Sequence, residues 1–182
     1  MKQVLLLCCV LIGFATRPIY AQMATAQKMQ WDLEKQFDVP VERDSVWSLL
    51  KDYRLVSQLS NGFVQSIVHK DDIMPILREA TYKDGTKREN LLTQLEEQHR
   101  FLVFKIKESS LPEGVTHAET AIFLKEKGDN QCEVIWRGLV KGNKESKAKY
   151  LEFMKTEADQ YETGLKGYLK GEQKAVQMMR MQ

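Results

Sequence analysis

Residues 146–169 read SKAKYLEFMKTEADQYETGLKGYL, with no proline and no glycine before Gly164. Leu151, Met154, Ala158, Tyr161, Leu165 and Leu169 recur at steps of three and four, the spacing that lines up one helical face. Lys147, Lys149, Glu152, Lys155, Glu157, Asp159, Glu162 and Lys166 fall mostly on the other faces. The stretch reads as one amphipathic helix of roughly six turns. Its apolar stripe needs a surface to lie on, which the preceding residues must supply.

They supply it as strands. Residues 30–39 alternate, with Trp31, Leu33, Phe37 and Val39 between acidic and amide side chains, and Pro40 ends the run. Val46, Trp47, Leu49, Leu50 and Tyr53 then follow helical spacing, with Asp44 or Glu42 able to cap. A second short helix holds Leu55, Val56 and Leu59 and stops at Asn61-Gly62. From Phe63 onward the pattern is strands: 63–70, 76–83, 86–96, 100–108, 115–127 and 131–141. Asp84-Gly85 signals a tight hairpin, because both central residues tolerate positive φ. Gly128-Asp129-Asn130 turns the last hairpin. The expected fold is α+β: a seven-stranded antiparallel meander, two short helices after its first strand, and a long C-terminal helix across one face.

The first 21 residues stand apart. MKQVLLLCCVLIGFATRPIYA has a lysine near its start, an apolar run too short to span a bilayer comfortably, and a small residue at its end. It reads as a signal peptide cleaved near Ala21, which makes the mature chain secreted or periplasmic. Residues 22–29 are a lead-in, 30–170 the domain and 171–182 a C-terminal tail. Without Lys2 and Arg17 the 27 basic residues become 25, equal to the 25 acidic ones. That balance, with no basic face interleaved with aromatics, argues against nucleic acid. Only Cys132 remains outside the leader, so the mature domain has no internal disulfide. His69, His99 and His117 lack the short spacing of a metal site. No residue pattern asks for a cofactor, and no later segment resembles a membrane span.

The order of elements and several short motifs resemble the START-like (SRPBCC) superfamily. The motifs are Val46-Trp47-Ser48-Leu49-Leu50-Lys51-Asp52-Tyr53, Leu77-Arg78-Glu79-Ala80 before Asp84-Gly85, Arg88-Glu89-Asn90-Leu91, Glu108-Ser109-Ser110-Leu111-Pro112, Val134-Ile135-Trp136-Arg137-Gly138 and Gln160-Tyr161-Glu162-Thr163-Gly164-Leu165. The resemblance implies a helix-grip fold, with the sheet wrapped around the C-terminal helix and an apolar cavity between them.

It also implies which residues face that cavity. In cavity-forming relatives the acid of the Arg-Glu-x-Leu start points inward, which here is Glu89, with Leu91 beside it. The same parity gives Arg78, Ala80 and Tyr82 on the third strand. It gives His117, Glu119, Ala121 and Phe123 on the sixth, and Trp136 on the seventh. Alternation alone selects Leu102, Phe104 and Ile106 on the fifth. Met154, Ala158, Tyr161 and Leu165 face them from the helix, and Ala158 leaves room beneath it. His69 and His99 read as surface residues.

Three functions fit this set. The first is a binding domain for a small hydrophobic or amphipathic ligand. The second is a cyclase, dehydrase or hydratase type of enzyme with Glu89, Glu119 and His117 as acid and base. The third is an envelope accessory protein with a filled interior.

Overall fold

The computed structural model describes residues 30–180, for 173–177 and 180 the backbone alone. The leader and the lead-in up to residue 29 lie outside the described residues. The described elements are β1 (Leu33–Val39), α1 (Arg43–Lys51), a 3-10 turn (Tyr53–Leu55) and α2 (Val56–Leu59). There follow β2 (Val64–His69), β3 (Ile76–Tyr82), β4 (Lys87–Glu96), β5 (Phe101–Ile106), β6 (Val115–Glu126), β7 (Cys132–Gly142) and α3 (Lys144–Arg180). The seven strands form one sheet in the order β1-β7-β6-β5-β4-β3-β2, antiparallel throughout. Successive hairpins explain β2 to β7; β1 joins the far edge by pairing with β7. α3 continues through Arg180, into the residues the sequence assigned to a tail.

One face of α3 lies against the inner face of the sheet. Ala158, Leu165 and Leu169 are buried in a core with Val39, Trp47, Val134 and Trp136. Met154 and Tyr150 belong to a second cluster with Ile106, Ala118 and Val140. Burial of each large apolar side chain contributes about 1.5–3 kcal/mol. Two glycines set how closely the helix approaches. A Cβ on Gly138 of β7 would stand 2.8 Å from Met154 Cε. A Cβ on Gly164 would stand 2.4 Å from Asn61 N and 2.5 Å from Leu59 O, so α3 meets the end of α2 backbone to backbone. α2 ends there because Asn61 and Gly62 both take positive φ, 50° and 75°.

The β3–β4 turn decides which side chains face inward, and it differs from the two-residue turn the sequence suggests. Tyr82 N donates to Thr86 O at 2.8 Å and Gly85 N donates to Tyr82 O at 2.9 Å, leaving three residues, Lys83-Asp84-Gly85, in the loop. Gly85 takes the positive φ of 83°. This is a turn closed by a glycine bulge. It pairs Arg78 with Asn90 and Ala80 with Arg88. A two-residue loop would have moved the pairing by one and turned every β4 side chain over.

Candidate functional site

The inner faces of β2–β6, the start of α2 and one side of α3 enclose a cavity of about 130 Å³. Its wall is largely apolar: Val56, Leu59, Val64, Ala80, Leu92, Leu102, Phe104 and Ile122. A bulge in β4 at Thr93 adds Leu95, because the extra residue reverses the alternation. The mouth lies where exposed residues join the lining, at Lys51, Tyr53 and Leu95, with His69 beside them. The Tyr53 and His69 rings sit 4.0 Å apart across it. Burial and the charge of Arg78 hold His69 below the usual imidazole range. His69 thus forms part of the rim, where the sequence placed it on the surface. α1 is anchored nearby by Trp47 Nε1, which donates to Glu97 Oε2 at 2.7 Å, and by Arg100, which holds Asp44 through two bonds of 2.9 and 3.0 Å.

Polar groups converge at the inner end. Arg78 is 8% exposed. Its Nε donates to Asn90 Oδ1 at 2.8 Å, and its guanidinium lies 5.2 Å from the Phe104 ring. Glu157 of α3 is 6% exposed. Burial pushes its carboxyl up to about 7, against the pull of Arg88, Arg78 and hydrogen bonding from Tyr82. Burial also raises the Tyr82 and Tyr161 hydroxyls well above the phenol range. Arg88, on β4, is surrounded by rings, with Phe153 at 4.0 Å and Tyr82 and Tyr150 each at 5.3 Å. It also borders a shallower, open depression at the start of α3, beside Ser146 and Lys149.

Of the residues chosen from sequence, Arg78, Ala80, Tyr82, Leu102, Phe104 and Tyr161 line the cavity. Trp136, Ala158 and Leu165 point inward but are packed in the main core, and Met154 and Ile106 lie in the second cluster. Ala158 is fully buried there and opens no space beneath the helix. Six expected positions lie on the other face. Glu89 and Leu91 alternate with Arg88, Asn90 and Leu92, and Glu89 accepts from Lys107 Nζ at 2.6 Å. Ile122 stands opposite both Leu102 and Trp136, which turns Ala121 and Phe123 outward. Phe123 stacks there on Phe101 at 5.3 Å, with Arg137 above its ring. His117 and Glu119 lie 3.6 Å apart on that outer face, near Lys105 and Lys141. Glu89, Glu119 and His117 do not meet in the cavity.

Glu157 is the buried charged side chain at the cavity that the sequence reading missed, as it missed Asn90 beside it. Glu157 sits seven residues after Tyr150 and four before Tyr161, which is inner-face spacing, but its charge placed it with the solvated faces. Cys132 is buried in the core, and burial pushes its thiol up to about 11. Among the described residues there is no group of three or more His, Cys, Asp and Glu side chains able to hold a metal ion. No helix among them is long and apolar enough to cross a membrane.

Solved structures share this architecture. The di-domain ARO/CYC protein BexL aligns with a TM-score of 0.67 at 11% identity, over 78% of this chain and 47% of its own. The chain has the helix-grip, START-like fold. It spans about half the length of that two-domain protein. Norcoclaurine synthase from Thalictrum flavum, in a complex with dopamine and hydroxybenzaldehyde, shares the helix-grip arrangement with a TM-score of 0.57 at 16% identity, over 71% of this chain and 82% of its own. The major latex-like protein 151 of Panax ginseng does so with a TM-score of 0.58 at 18% identity, over 72% and 94%. No family model matches the sequence, and no curated protein sequence does either.

Proposed function

We propose that this helix-grip protein binds a small apolar or amphipathic molecule in the cavity beneath α3, and that its leader carries it out of the cytoplasm. The observation that carries the reading is the cavity itself: an apolar wall with Arg78, Asn90 and Glu157 converging at one end. Such a mixture, burial for affinity and a few polar groups for orientation, is the usual composition of a ligand site. At about 130 Å³ it suits an occupant near one aromatic ring in size, since an apolar cavity of roughly 150 Å³ holds benzene. Ligand-observed NMR with toluene, followed by native mass spectrometry of the protein as purified, tests this. Binding of toluene, lost when Ala80→Phe fills the cavity, is expected. A protein that purifies empty and takes up no apolar probe at millimolar concentration overturns the reading.

A second reading has its own observation. The Glu157 carboxyl, raised to about 7 at the end of a cavity, suits proton transfer near neutral pH. It takes over the acid-base role first given to Glu89, Glu119 and His117. Phenylacetone in deuterium oxide is the test: exchange at its α-carbon above the buffer rate, abolished by Glu157→Gln, favours an enzyme. Exchange at the buffer rate leaves binding alone.

A further inference from the structure

We infer that the occupant is a monoanion, a small aryl carboxylate whose charged end meets the terminal nitrogens of Arg78. The inference rests on the binding reading above and goes beyond it in naming the ligand's charge.

The groups facing the inner end are Arg78 and Tyr82 from β3, Arg88 and Asn90 from β4, and Tyr150, Glu157 and Tyr161 from α3. His69 of β2 lies at the rim, and burial disfavours its charged form. Of the rim charges, Lys51 is paired with Glu97 and Asp52 with Arg54. The cavity wall therefore holds one buried guanidinium, Arg78, and one buried carboxyl, Glu157, while Arg88 is partly exposed beside the open depression and its Nη1 donates to Tyr150 Oη at 3.4 Å. Among the described residues, neither Arg78 nor Arg88 has a carboxylate at ion-pair distance. A buried charge must be paired or hydrated, so Arg78 has room for a partner carboxylate.

Arg78 is the guanidinium placed to receive it. It lines the cavity, and only its Nε has a hydrogen-bond partner among the described residues. The remaining fork of N–H groups matches the two oxygens of a carboxylate. Arg88, by contrast, lies among three rings outside the cavity lining and already donates to Tyr150 Oη at 3.4 Å. The Phe104 ring beside Arg78, the tyrosines and the small volume favour a flat apolar body on the same molecule.

Isothermal titration with benzoate, benzamide and toluene at pH 8 tests the inference. Benzoate is expected to bind at least tenfold tighter than benzamide, which has nearly the same shape and no charge. Arg78→Gln should bring that ratio close to one, and Arg78→Lys should leave part of it. Glu157→Gln, which removes a repelling charge, should raise the ratio several-fold. Circular dichroism melts establish that each variant is folded; if Arg78→Gln is not, the Lys and Glu157 variants decide. A wild-type ratio near one, or a ratio that no folded variant changes, overturns the inference. If toluene binds and benzoate does not, only the ligand's charge is wrong. If toluene fails as well, the cavity is not a binding site and both readings fall.

Discussion

On the outer face of the sheet, Glu89 meets Lys107 at 2.6 Å and His117 lies 3.6 Å from Glu119, all four partly in water. On the inner face, Arg78 and Glu157 are buried with Arg88 partly exposed beside them, and among the described residues none of the three makes an ion pair. The residue types are nearly the same; the solvent is not. Exposed pairs are worth about 0–1 kcal/mol, because water already stabilises each partner. Buried charges keep their desolvation cost, and it appears as the raised Glu157 carboxyl. The outer pairs thus do little for stability, while Arg78 and Glu157 carry the cost of burial without an ion pair, unlike Lys35 of β1, which meets Asp159 and Glu162 of α3.

The contrast depends on register, so register is the strongest way to break it. Deleting Asp84 leaves a two-residue loop between β3 and β4, which would turn Glu89 and Leu91 inward and Asn90 and Leu92 outward. The loss should exceed the roughly 5–15 kcal/mol that holds an ordinary domain together. Circular dichroism should show no cooperative melt; a normal melt would mean the chain absorbs the deletion in the loop.

Glu157→Gln is the next largest. The carboxyl sits at about 7 in the folded protein against 4.5 in the unfolded chain. A raised acid leaves folding undisturbed below the unfolded value and destabilises it as pH rises toward and past the folded value. The ionised group therefore costs about 3 kcal/mol at pH 8. Urea unfolding should show Glu157→Gln gaining about 2 kcal/mol on the wild type between pH 5 and pH 8. His69 and His117, held below their usual range mainly by burial, work the other way as pH falls below about 6.5. They are common to both proteins and cancel in the difference. A pH-independent difference would mean that Glu157 titrates normally.

Ala158→Leu separates the packed part of the inner face from the hollow part. Ala158 has no accessible surface, so the added carbons should cost about 1–3 kcal/mol in denaturant unfolding. A neutral result would restore the space the sequence suggested there. The smallest effects belong outside: Glu89→Gln and His117→Ala should each shift stability by no more than about 0.5 kcal/mol. A loss of several kcal/mol from either would erase the contrast between the faces.

The sequence carried the element order, the seven strands and the inward stripe of α3, because period and turn residues are local signals. β5 was read correctly from alternation, since Leu102, Phe104 and Ile106 differ plainly from Lys105. For β4 and β6 the inward parity comes from the resemblance and not from their own turns. The three-residue turn at Gly128-Asp129-Asn130 sets Trp136 opposite Ile122, so an inward Trp136 already excluded an inward Phe123. That constraint was present in the residues. The β3–β4 loop length was not, because Asp84-Gly85 serves two-residue and three-residue hairpins alike. Glu157 was hidden for another reason: one charge in an apolar stripe looks like the stripe's edge until its neighbours are seen. Two arginines on neighbouring strands supply the field that a linear reading cannot.

Gly164 bears on how anything gets in or out. With the backbone of Leu59 and Asn61 pressed against it, α3 could lift from α2 as a lid would only by giving up this close backbone contact. The route that leaves that contact intact passes the Tyr53 and His69 rings at the mouth. Occupancy lifetimes would then follow the turning of two side chains and the short segments that carry them, on the nanosecond to microsecond scale of such motions. The element that dominates the architecture would leave the exchange rate to a pair of rings at its edge.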